Sequence, residues 1–446
     1  MAGAFRLGLV IVRLCFSVVG NQTWDKVVMF LKSIRLKNCK CFDDLELTFA
    51  EEDGSVRSWT VLLGENGTGK STLLKAIAVV TSGSNALGEL LEEPSDWIRY
   101  RKTYCELEAV LVTQELEERH LQVRINKGDT ITDVIVRNLQ GLDALDRALK
   151  YAERNYFVVG FGASRRLSPD IGRRAKTSAF RSARAQNVAT LFDADAVLNP
   201  LESWAMDLDY ANRTGIRTIR HVLNQFLPDV TFHRIDKKQG RLLFKTPDGI
   251  VPLQALSDGY QNIAAWVGDL LYRITEVFED YRNPLNARGL LLIDEVDLHL
   301  HPNWQRELLA FLGNHLPNFQ CIVTTHSPVT AQQAGQGHLH YLTREDGSIR
   351  IEPFSGAPSR LLINQLLMSD AFGVVSDESL DLQQKKDRYR ELRDQDHLSA
   401  NEEAEMADLM AFLQEQPTGG RSNVHLHDAQ VALLQKIERE LAEPPS

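Results

Sequence analysis

The sequence predicts an α/β fold organised on a largely parallel central sheet. Two apolar runs, GLLLIDE and FQCIVTT, read as buried strands separated by the helical segment NWQRELLAFLGNHL. A third run, WTVLL, ends abruptly in a glycine-rich turn followed by the helical STLLKAIAVV. Strands that alternate with helices bury both faces of a parallel sheet, which accounts for the near-continuous hydrophobicity of these runs.

The remaining elements follow in chain order. LKSIRLKN and DDLELTF alternate with period two and read as strands before the glycine-rich turn. After a polar stretch near 83–103, YCELEAVLVT, HLQVRIN and ITDVIVRN suggest an antiparallel sheet, and NYFVVGFGAS returns as a buried strand. Residues 165–226 are mostly helical and irregular in pattern. A hairpin is expected from VTFHRID and GRLLFKT, with its turn near Lys238–Gly240, and LQALSDGYQNIAAWVGDLLYRI opens a long helix. A strand pair, HLHYLT and SIRIEPF, precedes a charged helical tail from about Arg360 to Ala442.

Composition narrows the class further. The 446 residues are 43% hydrophobic and 25% charged, with 50 Lys and Arg against 60 Asp and Glu. A formal net charge of -10 excludes a surface that binds nucleic acid over its whole extent. The five cysteines (Cys15, Cys39, Cys41, Cys105, Cys321) include no C-x-x-C pair and suit a reducing cytoplasm. Residues 7–20 form an apolar run too short to span a bilayer. The expected reading is that the folded chain starts at Met29, that residues 1–28 are an extension, and that no membrane is involved.

The chemistry concentrates in two segments. Gly64-Glu-Asn-Gly-Thr-Gly-Lys-Ser71, between a strand and a helix, satisfies G-x-x-x-x-G-K-[ST], a loop whose inward backbone N–H groups cradle phosphates. Gly64, Glu65, Asn66, Gly67, Thr68, Gly69, Lys70, Ser71 and Thr72 are the expected ATP-binding residues. Lys70 supplies a charge for the β- and γ-phosphates, and Ser71 is a candidate Mg²⁺ ligand. The second segment, LLLIDE, places two carboxylates at the C-terminal end of a strand, where ligands of open α/β sheets collect. Asp294 is the other candidate Mg²⁺ ligand, and Glu295 the group that orients and polarises an attacking water.

Two further segments bring a resemblance. Leu256-Ser-Asp-Gly-Tyr-Gln-Asn262 at a helix start and Thr324-Thr-His-Ser-Pro328 after the second apolar strand resemble the signature motif and the histidine switch of ABC ATPases. The order of phosphate loop, signature, acidic pair and histidine carries more weight than any one of them. Gly64-Glu-Asn-Gly and LLIDEVDLHLHPNWQ resemble the SMC, RecF and OLD-type branch, and within it the stand-alone ATPases of bacterial defence systems such as Septu. The resemblance covers residues 29–345 and implies an ABC-ATPase head with a mixed parallel sheet, an antiparallel β subdomain, a helical lobe at about 165–285, and a helical C-terminal extension over 346–446.

It further implies that Ser257, Asp258 and Gly259 touch the γ-phosphate held by a second subunit. Val296–His299 would form the D-loop with Asp297, and His326 would be catalytic beside Glu295. ATP and Mg²⁺ would be bound in a homodimer or a higher even oligomer. A separate effector nuclease is the implied partner, and antiphage defence the implied role. A DNA-repair ATPase like RecF and a slowly hydrolysing regulatory module are the alternatives. Phe161-Gly-Ala-Ser-Arg-Arg166 stands where a glutamine-bearing loop is expected, so no such glutamine is assigned. SMC proteins separate their two halves by a long coiled coil, and no heptad run occurs here.

Weaker signals remain open. Arg165, Arg166, Arg173, Arg174, Lys176, Arg181 and Arg184 form a basic stretch, in which Arg173, Arg174 and Arg181 are candidate DNA contacts. The competing reading is a solvated lobe with Arg165 or Arg166 serving the nucleotide. The pairs His299/His301, His338/His340 and His425/His427 lack neighbouring ligands and read as structural or surface histidines. Leu361, Leu362, Leu366 and Leu367 in the tail fit either a docking face or a helical cap.

Overall fold

The computed structural model describes residues 29–414 except 52, 114–116, 153–156, 166–179, 212, 228, 278–283, 346, 375, 377 and 396. The apolar extension, His425/His427 and most of the basic stretch, including Arg173 and Arg174, therefore lie outside the described residues. The chain divides into two compact units, Met1–Val374 and Val375–Ser446.

In the first unit β1 (Met29–Cys39) and β2 (Phe42–Thr48) form a hairpin that leads to β3 (Trp59–Gly64) and helix α1 (Lys70–Thr81). The polar stretch that follows contains α2 (Ser84–Leu91), and β4 (Tyr104–Thr113) and β5 (Glu118–Asn126) make the next hairpin. ITDVIVRN is not the expected strand but helix α3 (Ile131–Arg137). The reason is local. Thr130 accepts from the Asp133 N–H while Asp133 accepts from the Thr130 N–H, a capping box that satisfies a helix start and outweighs the β-branched composition.

Helix α4 (Leu139–Ala152) then leads to β6 (Phe157–Phe161). A helical region follows, with α5 (Ala183–Gln186), α6 (Ala189–Phe192), α7 (Leu201–Ala211) and α8 (Arg213–Phe226). Next come β7 (Thr231–Asp236), β8 (Arg241–Thr246) and β9 (Gly249–Pro252), an antiparallel meander, and the long helix α9 (Asp258–Val277). The chain closes the unit with β10 (Gly289–Ile293), α10 (Pro302–His315), β11 (Phe319–Thr324), α11 (Pro328–Gln332), β12 (Leu339–Glu345), β13 (Ser348–Pro353) and α12 (Ile363–Leu367).

The central sheet has the order β13-β12-β3-β11-β10-β6, parallel from β12 to β6 with β13 antiparallel at one edge. Its register aligns Thr324 with Leu62 and Ile293 with Val323 and Phe161, so the C-terminal ends of β3, β11, β10 and β6 share one edge. The antiparallel sheet β2-β1-β4-β5 packs over α1 in one hydrophobic cluster, and the helices α7 to α9 pack on the other face in a second. One buried side chain ties the two sheets. At the register shift between Leu31 and Ser33, the Gln320 amide of β11 accepts from the Leu31 N–H at 2.7 Å and donates to the Leu31 carbonyl at 2.8 Å. Both backbone groups that the irregularity would orphan are thereby satisfied.

The tail leucines divide. Leu366 is fully buried and Leu361 packs against the same cluster, whereas Leu362 is 65% exposed. Half of the stripe therefore acts as a cap on the core. In the second unit α13 (Leu380–Arg393) and α14 (Ala400–Gln414) are joined by a two-pronged pair from Arg388 to Glu405, both contacts at 3.0 Å, and by Lys385 over the Phe412 ring.

Candidate functional site

The phosphate loop joins β3 to α1 through backbone that needs glycine. Gly67 and Gly69 have φ of 78° and 93°, and a Cβ on Gly69 would lie 2.6 Å from both Cys41 Sγ and Phe42 Cζ. The loop thus rests directly on the β1–β2 turn. Lys70 is 6% exposed, and its ammonium donates to the carbonyls of Gly64 and Glu65, each at 2.8 Å. Burial lowers the pKa of Lys70, and the nearby carboxylates of Asp294 and Glu295 oppose that shift. Thr68 Oγ1 donates to the Glu65 carbonyl at 2.8 Å, and Arg344 of β12 reaches the Gly67 carbonyl at 3.0 Å. Ser71 and Thr72, in the first turn of α1, are exposed and half-buried.

Beside this loop β10 ends in the acidic pair. The Asp294 N–H extends the β10–β6 pairing to the Phe161 carbonyl at 2.8 Å. Glu295 then turns the chain with φ of 49°, a left-handed conformation unusual for a residue with a side chain. Thr324 at the end of β11 secures both acids: its hydroxyl donates to Asp294 Oδ1 at 2.6 Å and accepts from the Glu295 N–H at 2.8 Å. Asp294 is 8% exposed. Asp297 accepts from the hydroxyls of Thr325 and Thr330 at 2.6 and 2.7 Å, which fixes the Val296–His299 turn against the start of α11.

His326 sits at the exposed end of the loop between β11 and α11. Its pKa is lowered by burial and by Lys70, with Glu295, Asp297 and Asp294 acting in the opposite direction. Three segments far apart in sequence, carrying Lys70, Asp294 to Asp297 and His326, thus meet within one electrostatic neighbourhood. Ser327 caps α11, accepting from the Val329 and Thr330 N–H groups, so the segment that carries His326 is also a helix start.

Ser257 and Asp258 are exposed at the start of α9, while Gly259 is buried against the chain before α10. A Cβ on Gly259 would lie 3.0 Å from the His299 carbonyl, so the signature segment and the turn carrying Asp297 form one continuous surface. A cavity of about 730 Å³ adjoins it, lined by Ser164, Arg165, Asp258, Gln261, Asn262 and His299 among others. Of the basic stretch, Arg165 is buried at the acidic pair, Arg184 is paired with Asp146 at 2.6 Å, and Arg181 is exposed. No cluster of three or more His, Cys, Asp or Glu suited to a metal ion occurs among the described residues, and His301 Nδ1 accepts from the Asn303 N–H as a helix cap. No helix among the described residues is long and apolar enough to cross a membrane.

Sequence reasoning missed the threonines and Arg344. The pair Thr324-Thr325 closes an apolar strand, but only the sheet order sets its hydroxyls against the carboxylates of the neighbouring strand. Arg344 gave no local signal, since only the parallel pairing of β12 with β3 brings it to the loop.

Residues 59–331 match the model of the AAA_21 family, described as "AAA domain, putative AbiEii toxin, Type IV TA system". The chain belongs to that family. Its membership bears out the resemblance carried by the motifs, to ABC-type ATPases of the SMC, RecF and OLD-like branch. Over 366 residues the chain is 25% identical to the Septu protein PtuA of Bacillus mycoides strain KBAB4, an alignment covering 81% of this chain and 47% of that protein. It therefore spans about half the length of that relative. It is also 22% identical over 382 residues to the Retron Vc95 probable ATPase of Vibrio cholerae serotype O1 biovar El Tor, covering 66% of this chain and 71% of that one. Among solved structures, the Smc head domain with an extended coiled coil from Pyrococcus furiosus aligns with 74% of this chain and 97% of its own, at 14% identity and a TM-score of 0.44.

Proposed function

We propose that this chain is an ATP-hydrolysing subunit that dimerises around ATP and Mg²⁺ and acts in antiphage defence with a separate effector nuclease. The observation that supports hydrolysis is the convergence of Lys70, Asp294, Glu295 and His326 at one sheet edge, beside a glycine loop shaped for phosphates. The Ser71 hydroxyl and the Asp294 carboxylate are the oxygen donors that Mg²⁺ prefers, and they would hold it. When bound, the ion neutralises charge on the phosphate oxygens.

The protein's own groups divide the remaining work. Lys70 moves from the Gly64 and Glu65 carbonyls to the β- and γ-phosphates. Glu295, turned out of the strand by its left-handed backbone, orients and polarises the attacking water. His326, whose pKa is lowered by partial burial and by Lys70, can donate or accept a hydrogen bond at the γ-phosphate.

Dimerisation is supported by the surface on which Ser257 and Asp258 lie exposed next to the turn carrying Asp297. A second chain would present these groups to the phosphate loop and complete the site. The defence role is supported by the names of relatives, Septu and retron proteins. The charged helices α13 and α14 are the surface we assign to the effector.

Glu295→Gln tests the reading. It should keep ATP affinity, lower turnover by about 100-fold or more, and accumulate an ATP-bound dimer in light scattering. Wild-type turnover in that variant sinks the proposal. Strong stimulation of the wild type by DNA without any partner would instead favour a repair ATPase.

A further inference from the structure

Arg165 lies in the loop after β6, and its side chain is only 5% exposed. Its Nη2 donates to the Asp294 carbonyl at 3.1 Å and to the Glu295 carbonyl, while Nε and Nη1 have no partner among the described residues. A buried guanidinium with two unpaired nitrogens is costly, and an aliphatic side chain would fill the space without that penalty. Packing therefore does not explain the residue; the two carbonyls do.

The peptide geometry of Glu295 shows what they require. Its N–H is held by Thr324 Oγ1 at 2.8 Å and its carbonyl by Arg165, so its two backbone groups are pinned by residues from two different strand ends. Between those pins its φ is 49°, in a region that a side chain disfavours. A strained backbone persists only where its surroundings over-determine it. The backbone also holds the next peptide, the Val296 N–H donating to the Thr324 carbonyl at 3.0 Å and the Leu298 N–H to the Glu295 carbonyl at 3.1 Å, and Arg165 adds the charged donor that ties the Asp294 and Glu295 carbonyls together.

We infer that Arg165 is a positioning residue for the hydrolytic step: it clamps the carbonyls of Asp294 and Glu295 and so aims the Glu295 carboxylate at the water. It occupies the loop in which the motif order led us to expect a glutamine, and it performs a different task from behind the acidic pair. The inference rests on the ATPase reading above, but its structural half does not.

The test uses Arg165→Met, which keeps the bulk and removes the donors, and Arg165→Lys, which restores one charged donor, in the full chain. Arg165→Met should lower kcat about 100-fold, the scale of a misplacement near 1 Å, with ATP affinity unchanged within about 3-fold. Arg165→Lys should recover a substantial part of kcat, as should millimolar free guanidinium added to Arg165→Ala. A parallel fall in affinity and kcat, with no recovery by Lys, would reveal a merely structural residue and overturn the inference. Wild-type kcat in Arg165→Met would do the same. If the wild type itself does not turn over ATP, the hydrolysis reading fails, and a crystal structure of Arg165→Met decides the clamp alone. Glu295 should then have left the left-handed region; a φ still near 50° would refute it.

Discussion

Thr324 Oγ1 bridges the two acids of the site, donating to Asp294 Oδ1 at 2.6 Å and accepting from the Glu295 N–H at 2.8 Å. Thr324 and Asp294 are both buried, so the carboxylate has little water to replace that donor. Thr324→Val keeps the shape and deletes the hydroxyl. We expect it to lower unfolding stability by about 2 kcal/mol, the scale of a hydrogen bond to a charged group, and to raise the Mg²⁺ concentration for half-maximal turnover. Thr324→Ser should restore both. Urea unfolding and a Mg²⁺ titration read the two effects, and an unchanged Mg²⁺ requirement in Thr324→Val would detach this hydroxyl from the metal site.

Gly69 is, with Gly64, a position at which the phosphate loop leaves no room for a side chain. Its φ is 93°, and an added Cβ would lie 2.6 Å from Cys41 Sγ and from Phe42 Cζ, a ring with no exposed surface. Gly69→Ala should cost about 1–3 kcal/mol, as overpacking does, and should lower nucleotide affinity as much as Lys70→Ala. Adding Cys41→Gly removes one of the two clashes and should recover part of the stability. Because the backbone strain remains, nucleotide affinity should not return. Calorimetric titration with ATP separates the two, and full recovery of affinity in the double variant would attribute the whole effect to the clash.

These two sites show what was legible in the chain and what was not. The glycine loop, the acidic pair and His326 could be read from sequence because each is local: a strand, a turn and a helix start within a few residues. Arg165 and Thr324 act through the sheet order, which aligns the ends of β6, β10 and β11, and periodicity carries no such information. The one misassigned element, α3, failed for a related reason. Its β-branched run favours a strand, and only the reciprocal pair of Thr130 and Asp133 marks the helix start. The parallel core was legible because strands buried on both faces must be apolar throughout, yet the exception in FQCIVTT, Gln320, gave no hint of its partner Leu31, 289 positions away.

Gln320 supplies the third prediction. Gln320→Met retains the length and the burial but leaves the Leu31 N–H and carbonyl without partners in a dry interior. Each orphaned group costs about 1–3 kcal/mol, so the variant should lose about 2–6 kcal/mol. The phosphate loop stands on a different strand, so ATP affinity at a temperature where the variant remains folded should be unchanged. A loss of affinity without a loss of stability would show that the contact between the two sheets governs the nucleotide site.

The last prediction concerns acid. His340 on β12 is 4% exposed, and its Nδ1 has no hydrogen-bond partner among the described residues. Burial, reinforced by the Arg57 guanidinium and opposed by a hydrogen bond to the His338 backbone, pushes its pKa from 6.5 down to about 4. In the unfolded chain the imidazole takes its proton near 6.5; in the native protein it takes it only near 4. Between those values the unfolded state binds more protons, so stability rises with pH through the window and is complete above 6.5. As pH falls from 6.5 to 4, this histidine should remove about 3 kcal/mol, at roughly 1.4 kcal/mol per unit. His338, also lowered by burial, adds a smaller loss in the same window, while Glu51 favours its charged form. His340→Leu should therefore flatten most, but not all, of the decline in unfolding free energy measured between pH 7 and pH 4. If the slopes of His340→Leu and wild type coincide across that window, the imidazole is not held neutral in the folded protein.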